Sequence, residues 1–423
     1  MQTIIARKQA QIPADYLILG IDPHKQMHVV VVMNQASQIL AKFKIANSAR
    51  GFAELLDKAA LSTSKAQAPG IIFAIEAGGH YWRNLGHFLE EHGLPWRPIN
   101  PFTLKRQREG EDLNRNKNDY RDAQMAAQLL RDGRFTETQL PTGDYAELRA
   151  LAQSRRRLCQ DLARERNRLR ALLDGLFPEF CTVFKDPLGQ TAAAVLVTCP
   201  VPAQIAALPA DGFLALVRAT RQGRRLAVKK LHALHESAGK SIGVRYGAQA
   251  VALEIEQLVR RQWQLQAHRE AVEEGLLAVL PRCEESRYLL SIRGLGELTV
   301  AALLAEIGPM ARYHSGKALI KLAGSNPSHS ESAQKAGGRT PMTMKGRAGL
   351  RDAAWRAAVG LMRHNAEFRA WGGRLQGRQA GANPLQRREV LGAAMNKLLR
   401  LSWALATKRQ MYRTEVLAVG LAA

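Results

Sequence analysis

Residues 16–34 read YLILGIDPHKQMHVVVVMN. Two apolar, β-rich runs flank Asp-Pro-His-Lys, a segment with turn chemistry, so the stretch predicts a hairpin. Outward from it, residues 39–45 (ILAKFKI) alternate apolar and polar and predict a third strand, with a helix over 48–60. After a Ser/Ala/Gln-rich link, GIIFAIEAGG (70–79) predicts a fully apolar strand ending at Glu76. YWRNLGHFLEEHG (81–93) has helical spacing, and WRPINPF (96–102) reads as extended. A hairpin, a further strand and then strand–helix alternation is the order of a mixed α/β sheet.

From Lys117 the pattern becomes helical. NDYRDAQMAAQLLRDGR (118–134) has an apolar face of Ala123, Ala126, Ala127, Leu129 and Leu130, with Gly133 as a stop. Residues 144–176 predict one long arginine-rich helix with a seam of Leu148, Leu151, Leu158, Leu162, Leu169, Leu172 and Leu173, close to a heptad pattern. A second long helix is predicted over 249–280, and the two arms are expected to pair. Residues 187–210 carry no charge and are long enough to span a bilayer. Pro200, Pro202 and Pro209 interrupt them, so a buried insertion is expected and no membrane association. LLSIRGLGELTVAALLAEIG (289–308) places apolar helices around Gly294-Leu295-Gly296, in the manner of a helix–hairpin–helix unit that offers backbone N–H groups to phosphate. The expected division is a flexible tail over 1–15, an α/β domain over 16–143, a helical coiled-coil region over 144–284 with an insertion near 181–248, and a mainly helical domain over 285–423.

Lys and Arg number 61 against 37 Asp and Glu, giving a net charge of +24. Such a chain repels itself, and a polyanion is the natural partner. Hydrophobic residues at 46% and charged residues at 23% exclude wholesale disorder. The four cysteines, Cys159, Cys181, Cys199 and Cys283, form no CxxC and suit a reducing cytoplasm. The first residues lack the apolar core of a signal peptide.

Against this basic background four acids stand out. Asp22 follows the first apolar strand, Glu76 ends another, and Asp119 and Asp122 share one face of a helix start through their i,i+3 spacing. Presented together at one sheet edge they would need cations, and Mg2+ or Mn2+ takes such hard oxygen ligands. Two ions about 4 Å apart polarise a phosphodiester and stabilise attacking and leaving oxygens. Taken singly, Asp119 and Asp122 also suit helix caps, and Asp22 a turn. The histidines His24, His28, His80, His87 and His92 have no zinc spacing and carry no assignment.

GIDPHKQMHVVVV, AIEAGG and NKNDYRDAQMAAQLLRDGR resemble the catalytic domain of the DEDD-type insertion-sequence transposases, a family with the Piv-type invertases and RNA-guided bridge recombinases. SIRGLGELTVAALLAEIG, KLAGSNPSHSESAQKAGGR and MKGRAGLRDAAW resemble that family's C-terminal transposase domain. The resemblance covers roughly 16–180 and 285–375. It implies a Holliday-junction-resolvase-like RNase H fold, with Asp22, Glu76, Asp119 and Asp122 as a metal-binding tetrad. It also implies a nucleophilic serine after an Ala-Gly-x-x-Pro motif. In AGSNPSHSESAQ, Ser332 matches best, with Ser330 and Ser328 as alternative registers and Ala333 in place of the usual glycine.

Downstream, Lys345, Arg347 and Arg351 are candidates to hold a scissile phosphate or guide backbone; a solvated basic face is the alternative. The resemblance implies an enzyme that cleaves and exchanges strands of donor and target double-stranded DNA. It would be guided by a structured noncoding RNA, act as a dimer assembling into a tetramer, and be cytoplasmic and nucleoid-associated in a prokaryote. Two other classes also fit the residues: a metal-dependent structure-specific nuclease using the acids alone, and a noncatalytic nucleic-acid-binding protein.

Overall fold

The computed structural model describes residues 4–111, 118–137, 140–220, 226–328, 341–377 and 385–413. They form two compact units, Met1–Leu140 and Pro141–Ala423.

The first unit contains α1 (Ile4–Gln9), β1 (Leu17–Pro23), β2 (Met27–Met33), β3 (Ile39–Ala46), α2 (Ala49–Ala66), β4 (Ile71–Glu76), α3 (Trp82–Glu91), β5 (Trp96–Ile99), α4 (Pro101–Glu111) and α5 (Asp119–Arg131). The sheet order is β3-β2-β1-β4-β5. The β1–β2 and β2–β3 pairs are antiparallel, whereas β4 runs parallel to both β1 and β5. This is the mixed α/β sheet expected from the strand order in sequence.

Both sheet faces are covered, which is why the strands read as apolar runs rather than strict alternation. Leu17, Leu19 and Ile21 of β1 join Phe73 and Ile75 of β4 against Phe52 and Leu55 of α2 and Leu85 and Leu89 of α3. Ile18 points the other way, with Ile72 and Ala74, onto Met125, Ala126 and Leu129 of α5. The two-residue period puts Gly20 and Asp22 on this α5 face with Ile18. At Gly20 helix and strand touch backbone to backbone. A Cβ there would lie 1.9 Å from the Ala123 carbonyl oxygen and 2.9 Å from the Ala127 nitrogen.

Two segments depart from their sequence reading. The extended reading of 96–102 ends at Ile99, because Pro101 opens α4 at a position where its missing N–H costs nothing. Within the expected flexible tail, α1 docks on the segment after α5: Arg7 pairs with Glu137 at 3.1 Å, and Lys8 Nζ donates to the Phe135 carbonyl at 2.5 Å.

The second unit is helical. It comprises α6 (Gly143–Leu176), α7 (Phe180–Val183), α8 (Gln190–Thr198), α9 (Pro202–Ala206), α10 (Ala210–Thr220), α11 (Val228–Gly239), α12 (Ala248–Val279), α13 (Glu285–Leu290), α14 (Glu297–Ile307), α15 (Gly316–Ala323), α16 (Ala348–His364), α17 (Ala366–Gly377) and α18 (Arg387–Lys408). The long arms α6 and α12 pair antiparallel. Arg155 meets Glu273 at 2.7 Å near one end and Arg168 meets Glu254 at 2.5 Å near the other. Between them Gln262 Nε2 donates to the Leu162 carbonyl at 2.8 Å. Leu148, Leu158, Leu169 and Leu173 are buried, so much of the leucine seam is satisfied within the chain.

The uncharged stretch folds into α8 and α9 inside a core with Phe177, Phe180, Phe213 and Leu231. Among the described residues no helix is long and apolar enough to cross a membrane. A further core joins α13, α14, α15, α16 and α18 through Leu289, Leu304, Leu319, Leu361 and Leu398. Gly294, in the turn between α13 and α14, takes φ 101°.

Because Gly20 sets the spacing between β1 and α5, Gly20→Ala should displace the helix. The first unit is expected to lose about 1–3 kcal/mol, the usual range for overpacking a filled core. Urea unfolding followed by circular dichroism measures this; a wild-type midpoint would mean that the helix is not seated on the strand as described.

Candidate active site

Asp22 is the sixth residue of β1 and lies on the strand face that carries Gly20. It is therefore part of the strand rather than of the following turn. Along the antipodal direction, α5 runs back from Ala123 above Gly20 to its first residue, Asp119. Four helical residues rise about 6 Å, close to the span of two strand residues. The same step that leads from Gly20 to Asp22 thus leads from Ala123 to Asp119. The cap of α5 is Asn118, whose Oδ1 accepts the Tyr120 N–H at 3.0 Å. Asp119 is left to face Asp22.

His24 completes the group. Its Nε2 lies 3.2 Å from Asp22 Oδ2 and 3.6 Å from Asp119 Oδ2. Donor atoms of the three residues all lie within 4.8 Å of one another. Asp22 is buried, whereas the side chains of His24 and Asp119 are 39% and 45% exposed, so the group opens to solvent on one side. The chain places His24 through a tight turn, in which its backbone N–H donates to the Met27 carbonyl at 3.2 Å and approaches His28 Nδ1 at 3.3 Å. His28 is fully buried and stacks on Phe52 at 5.9 Å. Burial pushes its pKa down to about 4, which keeps the ring neutral and Nδ1 able to accept.

The other two acids are placed differently. Glu76 ends β4, one residue beyond Ile75, which pairs with Ile21 of β1. It thus stands beside Asp22 at the same sheet edge, with Oε1 3.4 Å from where a Cβ on Gly78 would be. Asp122 is 3% exposed, and both its oxygens lie 2.9 Å from Arg108 Nη1 of α4. Among the described residues the structure therefore brings Asp22 and Asp119 together with His24, and leaves Glu76 and Asp122 outside that group. From sequence, His24 is one of five histidines that carry no assignment, and Arg108 is not singled out. His24 carried a signal in its place two residues after Asp22; Arg108 carried none.

The donor set fits a divalent cation. Asp22 and Asp119 offer hard oxygens, and His24 Nε2 is a buried atom without a hydrogen-bond partner.

In the second unit, Ser332 and Ser330 lie outside the described residues. Ser328 lies at the base of their loop, whose two stems are paired. Ser328 N–H donates to the Pro341 carbonyl at 2.9 Å, Thr343 N–H to Asn326 at 2.9 Å and Met344 N–H to Gly324 at 2.9 Å. Gly324 takes φ 66° as its stem passes close to Lys345 and Gly346. Arg347 and Arg351 brace these stems. Arg347 Nη1 donates to the Glu306 carbonyl, and Arg351 Nη1 to the Ala323 carbonyl at 2.9 Å. Lys345 is exposed beside them.

Comparison with known proteins bears on both units. A transposase family of the DEDD, IS110 type matches residues 19–178, which include all four acids, and the Transposase IS116/IS110/IS902 family matches residues 286–371, which include the serine loop. The mini-circle putative transposase for IS117 of Streptomyces coelicolor is 30% identical over 335 residues, 75% of this chain and 77% of that protein. The chain belongs to the IS116/IS110/IS902 family of DNA transposases. A second relative, the insertion element IS116 uncharacterized 44.8 kDa protein of Streptomyces clavuligerus, is 23% identical over 334 residues, 76% of this chain and 79% of that protein. In this transposase, residues 179–285, which hold α7 to α12, fall between the two family matches.

Arg108 is the partner of a buried carboxylate, so removing it strands a charge. Arg108→Ala should cost the first unit about 3 kcal/mol, and Arg108→Lys less, since a point charge replaces the planar fork. Thermal and urea unfolding read the loss; equal stability of all three proteins would place the Asp122 carboxylate in water.

Proposed function

We propose that this transposase moves its insertion element by cleaving and rejoining DNA at a centre built from Asp22, Glu76, Asp119 and Asp122, with Ser332 as the nucleophile. The observation that carries the reading is the convergence of Asp22 and Asp119 from a strand end and a helix start, in a chain of net charge +24. The sheet order, an antiparallel meander extended by two parallel strands, supports an RNase H-like catalytic domain. The antiparallel arms support a coiled-coil reading of α6 and α12.

A bound Mg2+ or Mn2+ would polarise the phosphodiester and offset charge developing in the transition state. Asp22 and Asp119 hold that charge at the open side of the site, and Glu76 reaches the same edge. Asp122, neutralised by Arg108, supports the helix start. Ser332 forms the covalent link: its Oγ bonds to phosphorus as its proton leaves, the P–O bond to the departing sugar breaks, and that sugar oxygen takes up a proton. Lys345, beside the paired stems, offers positive charge to the phosphate, while Arg347 and Arg351 keep the stems in place. Donor and target duplexes are the substrates, a structured noncoding RNA is the guide, and a dimer assembling into a tetramer supplies one active site per strand. The protein would act in the cytoplasm, at the nucleoid.

Asp22→Asn keeps the size of the side chain and removes a charged ligand. Recombination is expected to fall to background while the protein stays folded and binds DNA; full recombination by a folded Asp22→Asn, Asp119→Asn protein would end the assignment.

Ser332→Ala should abolish the protein–DNA adduct with little change in DNA affinity. Trapping on labelled DNA followed by peptide mass spectrometry locates the link. An adduct on Ser330 or Ser328 would move the register, and recombination through free ends by the triple alanine protein would replace the serine mechanism by metal-only cleavage.

A further inference from the structure

The acids of the proposed metal centre supply oxygen, yet the atom that stands between two of them is a nitrogen. His24 Nε2 is shielded from solvent, lies 3.2 Å from Asp22 Oδ2 and 3.6 Å from Asp119 Oδ2, and has no aligned hydrogen bond to either. An imidazole N–H that served only to bridge the two carboxylates would be directed at one of them. The separations suit a different arrangement. Ligands about 2.1 Å from an octahedral ion are about 3 Å apart when adjacent and about 4 Å when opposite, and these donor atoms lie within 4.8 Å of one another.

The backbone also holds the ring for this task. Pro23 restricts the residue before the turn, and the His24 N–H is engaged by Met27 and His28. A fully buried His28 beneath the turn, stacked on Phe52, fixes where His24 starts. The ring is thus returned over the end of β1 toward the first turn of α5.

We propose that His24 is an imidazole ligand of the metal centre, and that its nitrogen shifts the site's preference from Mg2+ toward Mn2+. The proposal rests on the reading of Asp22 and Asp119 as metal ligands. Mg2+ takes oxygen and keeps its waters, whereas first-row transition ions accept imidazole as well as carboxylate. An all-carboxylate edge would favour Mg2+ by abundance; one nitrogen donor in it changes the ratio of affinities. His24 then acts as a specificity-determining residue for the metal.

The full-length protein can be titrated with Mn2+, following the paramagnetic resonance of the free ion, with Mg2+ as competitor. Wild type should bind Mn2+, and its spin-echo spectrum should carry nitrogen modulation that changes on 15N-histidine labelling. In His24→Ala that modulation should vanish, and the Mn2+-over-Mg2+ preference should fall roughly tenfold, the lower end of the effects seen when a metal-site histidine is disturbed. Asp22→Asn should remove binding altogether. Wild-type protein that binds Mn2+ through Asp22 without nitrogen modulation, or with modulation that survives His24→Ala, overturns the histidine ligand and keeps the carboxylate centre. Absence of Mn2+ binding, or binding indifferent to Asp22→Asn, overturns the centre itself and this inference with it.

Discussion

The contact between Gly20 and the backbone of α5 is the constraint on which the site depends. No side chain separates β1 from the helix there, since a single Cβ would collide with the Ala123 carbonyl at 1.9 Å. Such proximity fixes both the distance and the register of helix against strand. From that contact, two residues along the strand and one turn along the helix arrive at the same place, and both positions are aspartates. The small residues of α5, Ala123, Ala126 and Ala127, serve this approach as much as they serve helix propensity. A larger apolar face would bury more area and hold the carboxylates apart.

Much of this arrangement is legible in the sequence. The apolar runs of β1, β2 and β4 announce buried strands, and the order of strands and helices announces a mixed sheet. Asp22 and Glu76 are visible as charges where apolar strands end. The position of His24 is less visible, because it depends on β1 continuing through Pro23 and on a turn closed only at Met27. Arg108 is hidden for another reason. It lies on a helix that begins at Pro101, inside a stretch with extended character, and no local pattern relates it to Asp122 across the intervening residues. The cap is a finer case. Asn118, Asp119 and Asp122 all have capping chemistry, and only the structure assigns the role to Asn118.

The second unit meets a different requirement, that of fixing the two stems from which a polar segment departs. Residues 324–342 read GSNPSHSESAQKAGGRTPM, a polar stretch that offers few apolar groups for core packing. The structure instead fixes the two ends of the loop by backbone pairing from Gly324 to Ser328 and from Pro341 to Met344, and then braces the stems with arginines. Arg347 and Arg351 read from sequence as phosphate contacts, and in the fold they satisfy carbonyls of Glu306 and Ala323. A guanidinium has five N–H donors, so bracing one carbonyl leaves others able to meet an anion. Position and charge are compatible roles for the same side chain.

The acids of the first unit divide along a gradient of burial. Asp122, deepest, is compensated by the chain itself through Arg108, because a carboxylate removed from water requires a partner that is always present. Asp119 and His24 are nearest to solvent, and on the proposed reading they would be served by an exchangeable partner. Asp22 stands between the two, buried by the strand and turned toward the open side. On the proposed metal reading, permanent compensation at Asp122 and exchangeable compensation at Asp119 and His24 would give the site a rigid floor and an adjustable face. A cation seated on that face would meet the substrate without disturbing the ion pair that secures the helix start, so the stability of the fold and the occupancy of the site are set by different residues.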